Sequence, residues 1–229
     1  RGLVALTRVR AWRSSQLSEV GRDLEAEELA KVTLAKAAPL LRPGHPDRIR
    51  AVHAIAYAKM RRGDAHGAVE IWRTLVPAQE AAAGPGHAWS VGGRYRLAGM
   101  LVAIDQPEEA LATLAPALES AAVHETHARL RLALAWRQGE ILLALEDIPR
   151  ALAAFAAAEA LQGPERDLPW EALGQAMTGE GLLAAGRPAQ ALTAAQASLR
   201  VVPEAYRPAG ATAPYGWVQA RELAVMVRG

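Results

Sequence analysis

The sequence predicts an all-α chain, a right-handed superhelical solenoid of about five antiparallel helical hairpins followed by a C-terminal helix. Three observations lead there. Apolar residues recur at helical spacing, with no segment alternating at period two. A tight turn followed five residues later by an alanine returns about every 42 residues. The 229 residues include 52 alanines and one phenylalanine, which suits closely packed helices better than sheets of β-branched and aromatic side chains.

The elements follow in order. Helices near 3–20 and 22–41 meet at Gly21, and helices near 46–62 and 64–83 meet at Gly63. The third pair, 87–104 and 107–122, turns at Asp105; the fourth, 124–145 and 147–161, at Glu146; the fifth, 167–185 and 188–201, at Gly186. The hairpins therefore span 3–41, 46–83, 87–122, 124–161 and 167–201, and a last helix near 214–228 follows a loop containing Pro and Gly. Pro107, Pro149 and Pro188 fall two or three residues past their turns, where a fixed φ and a missing donor suit the first turn of a helix. Gly44-His45-Pro46 and Gly86-His87-Ala88, 42 residues apart, each open a first helix.

The register fixes what each position must do. The alanines after the turns are Ala26, Ala68, Ala110, Ala151 and Ala191, at intervals of 42, 42, 41 and 40 residues. Seven residues before the turns stand Ser14, Ala56, Ala98, Gly139 and Gly179, all small enough for two helices to approach closely. Nine residues after them come Ala30, Trp72, Leu114, Phe155 and Ala195, three of which offer a large apolar side chain to the next layer. One hairpin of this length buries too little apolar surface to offset its conformational entropy, so the hairpins must stack and share one core. Residues 1–229 are accordingly expected to form a single domain, and a chain that starts at Arg1 reads as a fragment of a longer one.

The bulk numbers exclude several functions. The 26 basic residues are scattered among 24 acidic ones, so no basic patch for nucleic acid is expected. No apolar run is long enough to span a membrane, and the first residues lack the order of a signal peptide. With no cysteine, disulfides and thiolate chemistry are ruled out, which fits a cytoplasmic setting.

The small residue, the turn glycine, the alanine and the linker LLRPGHPD (40–47) resemble tetratricopeptide repeats of the 42-residue kind found in kinesin light chain and in many bacterial signalling proteins. The resemblance covers residues 1–203. It implies a scaffold or sensor arm of a larger regulatory protein that binds a protein or peptide in its concave groove. That family often clamps a peptide backbone with inner-face asparagines, whereas this chain has no asparagine. The ligand is then an extended peptide held by other side chains, or a folded helix.

With the first helices lining the groove, Arg50, His53 and Tyr57 fall on the inner face of one, Tyr95 on the next, and Trp136 and Glu140 on the one after. Arg61, Arg96 and Arg137 flank this stripe. Aromatic anchors ringed by cations would favour an acidic or phosphorylated partner. The competing reading makes the aromatics packing residues between hairpins. No catalytic constellation, metal site or cofactor is expected: His124, Glu125 and His127 lack metalloprotease spacing, and Gly179-Glu180-Gly181 lies within a helix. Two alternatives remain, a self-association module and a helical-repeat enzyme with a pocket of Glu140, Glu180 and His53.

Overall fold

A computed structural model describes residues 2–19, 21–42, 44–123, 128–161 and 168–201, which are helical with short connections and contain no strand. The helices are α1 (Gly2–Glu19), α2 (Asp23–Ala37), α3 (Pro46–Arg61), α4 (Ala65–Ala83), α5 (Ala88–Ala103), α6 (Pro107–Val123), α7 (Ala128–Ala144), α8 (Ile148–Ala160), α9 (Leu168–Ala184) and α10 (Pro188–Val201). The expected helix at 214–228 and the His124/Glu125/His127 cluster lie outside the described residues. The chain comprises two compact units, residues 1–124 with α1–α6 and residues 125–229 with α7–α10.

In the first unit α1 packs on both α2 and α3, and each later helix packs on its predecessor; in the second, α7 packs on α8 and α9, α8 on α9, and α9 on α10. All five expected turn residues adopt the left-handed conformation, with φ of 81° at Gly21, 85° at Gly63, 59° at Asp105, 57° at Glu146 and 70° at Gly186. The following residue then turns its amide back into the last helical turn. Arg22 N–H donates to Leu17 O, Asp64 to Lys59, Gln106 to Leu101, Asp147 to Leu142 and Arg187 to Leu182, at 2.9 Å in each case. These bonds satisfy carbonyls that a helix end would otherwise leave open.

The starts of the helices are specified as locally as their ends. His45 Nδ1 accepts from Asp47 N–H and His87 Nδ1 from Trp89 N–H, both at 3.2 Å, so the paired linker histidines are N-caps. Asp64 Oδ1 accepts from Gly67 N–H at 2.9 Å. The second helix ends at Ala37 rather than at 41: Ala38 keeps helical angles, but Pro39 has no N–H to continue the ladder, and Leu40 N–H closes a tighter turn onto Ala37 O at 2.9 Å.

The core follows the register. Ala26, Ala68, Ala110, Ala151 and Ala191 are fully buried, as are Ala30, Trp72, Leu114, Phe155 and Ala195. A Cβ added to Gly139 would stand 2.2 Å from the Phe155 ring, so this small residue admits the large one of the partner helix. Ion pairs cross between hairpins: Arg62 to the buried Glu27 at 2.5 Å, Arg94 to Glu80 at 2.6 Å and Arg73 to Glu109 at 2.7 Å.

Candidate functional site: the inner face of the first unit

Helical spacing puts Arg50, His53 and Tyr57 on one side of α3, three and four residues apart. The His53 and Tyr57 rings stack with centroids 5.9 Å apart, and His53 meets the buried Trp72 of α4 edge-on at 5.2 Å. Burial, reinforced by the charges of Arg96 and Arg50, lowers the His53 pKa to about 3, so the imidazole is neutral near pH 7. Arg50 Nη1 donates to Asp47 Oδ1 at 3.2 Å, and its guanidinium lies over the Trp12 ring, 4.6 Å from the centroid. Trp12 is 51 % exposed. Sequence reasoning did not pick it out, although it holds in the first hairpin the position that Arg96 holds in the third, nine residues before the turn.

Arg96 differs from the other arginines assigned to this face. Its Nη1 donates to the Gly92 carbonyl at 3.0 Å, and it pairs with no carboxylate among the described residues. An added Cβ at Gly92 would stand 3.0 Å from Arg96 Nη1, so the glycine leaves the guanidinium room to fold back along α5. Burial holds the Arg96 pKa below its ordinary value, opposed by Tyr95 and Tyr57. A partly desolvated cation without a counter-charge favours an anion, and half-buried aromatics beside it offer apolar area.

Other residues expected at the groove are committed elsewhere. Arg61 donates from Nε to Asp23 Oδ2 at 3.1 Å and ties α3 to α2, so it is a structural cation rather than a free one. Trp136 is 1 % exposed, and a Cβ added to Gly174 would stand 2.0 Å from its ring. It is a packing residue between α7 and α9, because the small Gly174 opens a slot that the indole fills. Arg137 and Glu140 are paired with one another along α7. Glu140 and Glu180 belong to the second unit and His53 to the first. Among the described residues no group of three His, Cys, Asp or Glu could hold a metal, and no helix is long and apolar enough to cross a membrane.

No protein-family model matches the chain. No curated protein matches it either. Solved structures do. A kinesin-light-chain-type protein of Podospora anserina, built of nearly identical TPR-like repeats, is 22 % identical with a TM-score of 0.69, over 88 % of this chain and 97 % of that one. A thermophilic TPR protein of Thermus thermophilus is 20 % identical with a TM-score of 0.67, over 96 % and 99 %. YrrB, a TPR protein with an unusual peptide-binding site, is 17 % identical with a TM-score of 0.52, over 94 % and 88 %.

Proposed function

We propose that this chain, whose fold is that of the tetratricopeptide repeats, is a protein-interaction scaffold that takes a peptide or helix of its partner on the inner face of the first unit. The observation that carries this reading is Arg96, a half-buried cation without a carboxylate among the described residues, set beside Tyr57 and Tyr95. Trp12 and the two tyrosines supply apolar anchors, and Arg96 takes an acidic or phosphorylated group. Arg50, already held by Asp47 and Trp12, is a preorganised edge of the site rather than its main charge. The likeness to YrrB supports a peptide as ligand. On this reading the chain is a non-catalytic cytoplasmic arm of a larger regulatory protein, and the neutral His53 packs under the ligand instead of transferring protons.

A partner identified by affinity capture is the reagent for the test. Arg96→Met and Tyr57→Ala are each expected to weaken binding by about 2 kcal/mol, a hot-spot effect. The salt dependence should fall with Arg96→Met only, since salt screens charge over about 10 Å at 0.1 M and leaves apolar burial intact. Arg187→Ala in the last hairpin turn serves as the unaffected control. Wild-type affinity in both inner-face variants, with helicity retained, would place the site elsewhere on the chain.

A further inference from the structure

Arg96 of α5 and Arg137 of α7 stand at the same place in the repeat, nine residues before their turns, and both are half-buried. Their charges are met differently. Arg137 extends forward along its helix and pairs with the Glu140 carboxylate. Arg96 folds backward, its Nη1 donating to the Gly92 carbonyl at 3.0 Å. Two residues account for the difference. Six residues before the turn, where α7 has Glu140, α5 has Gly99, which brings no carboxylate. Thirteen residues before it, where α7 has the buried Ala133, α5 has Gly92, whose missing Cβ admits the folded-back guanidinium. Glycine weakens a helix interior, yet α5 carries one four residues before this arginine and another three residues after it.

A neutral carbonyl is a weak partner for a desolvated cation, since a charge-assisted hydrogen bond to a carboxylate is about twice as strong. The groups beside Arg96 do not supply the missing charge. Arg50 is itself a cation, already paired with Asp47; His53 is neutral near pH 7, and Tyr57 and Tyr95 are phenols. We infer that the ligand supplies to Arg96, beside Gly99, the carboxylate that Glu140 supplies to Arg137, and that Gly99 is the residue that sets this specificity. Arg96 exchanges the Gly92 carbonyl for the incoming carboxylate, which an acidic side chain or a chain end provides. For the ligand being a segment of a partner, the inference rests on the inner-face reading; it goes further in choosing carboxylate over phosphate. A phosphate dianion would leave a second negative charge unmatched in a half-buried place.

In a chain with isotopically labelled arginine, the Nε–H resonance of Arg96, identified by its loss in Arg96→Met, provides the readout. It is followed at fixed ionic strength against acetate, N-acetylglutamic acid α-amide, N-acetylglutamine and inorganic phosphate. Acetate is expected to shift the resonance saturably, and phosphate to bind at least about tenfold more weakly. Binding of either glutamate derivative supports the assignment, and the tighter one identifies a side chain or a chain end as the source. Gly99→Glu should lower acetate affinity about tenfold or more by giving Arg96 its own carboxylate, whereas Gly99→Gln, of the same size, should change it by less than about twofold. The inference is overturned if no carboxylate probe moves the resonance, if phosphate binds as tightly as acetate, or if the two Gly99 variants weaken acetate equally with helicity retained. Should either variant lose helicity, acetate against phosphate on the unaltered chain decides. Failure of carboxylate binding, with Tyr57→Ala still weakening a captured partner, overturns this assignment alone. Carboxylate binding with partner affinity unchanged in both inner-face variants overturns the peptide reading alone.

Discussion

His53 has a depressed pKa in the folded chain, about 3, owing first to burial and then to Arg96 and Arg50. An unfolded imidazole titrates near 6.5. Between those values the unfolded chain binds a proton that the folded chain does not, so stability rises with pH across the window. The contribution is complete above about pH 6.5 and is lost progressively as pH falls towards 3. Urea unfolding is therefore expected to show a loss of about 1–2 kcal/mol between pH 7 and pH 5, a range in which the ordinary carboxylates have not yet titrated. His53→Gln should flatten that slope, and an unchanged slope would show that the imidazole is solvated. At this scale the sequence was legible in position but not in partnership. Helical spacing puts Arg50, His53 and Tyr57 on one side of α3, and the register puts Arg96 nine residues before the turn at Asp105. It could not reveal that Arg61 is taken by Asp23, 38 residues away, or that Gly174 opens the slot that buries Trp136. Those depend on which side chains a neighbouring helix brings within reach.

Among the elements, the turns were the most readable feature, because a left-handed residue followed by a capping amide is a local requirement. Asp105 and Glu146 were found by register alone, having neither the missing Cβ nor the flexibility of glycine. They hold φ of 59° and 57°, where an L side chain crowds the following carbonyl. Aspartate tolerates this through short-range hydrogen bonding better than glutamate does, so Glu146 is the more strained of the two. Glu146→Gly should stabilise the chain by about 0.5–1 kcal/mol, the relief of strain exceeding the entropy that glycine loses on folding. Thermal denaturation measures it, and a lower melting temperature would mean that the Glu146 side chain makes a compensating contact. The end of α2 was misread for a related reason. Apolar periodicity runs on through Leu40 and Leu41, but Pro39 offers no N–H to the ladder and the backbone tightens into a turn on Ala37 O.

For the whole molecule, the interval of 41 residues from Ala110 to Ala151 continues the repeat past residue 124, so the sequence leads one to expect a single cooperative unfolding transition. The core carries a way to see it. Trp72 in the first unit is fully buried, and Trp136 in the second is 1 % exposed. An indole sealed from water emits at shorter wavelength than a hydrated one, so each unit holds its own optical gauge of intactness. In a chain whose Trp12, Trp89, Trp170 and Trp217 are replaced by Phe, spectral shifts recorded on the further variant Trp72→Phe follow the second unit, and those on Trp136→Phe follow the first. Relative to each variant's own circular dichroism midpoint, coincident shifts in both are the expected outcome, and two separated transitions would show the halves melting independently. Trp72 also lies edge-on to His53, and a protonated imidazole quenches indole emission. Its brightness should therefore dim in acid before its colour changes, which makes the packing of one ring pair a built-in pH indicator.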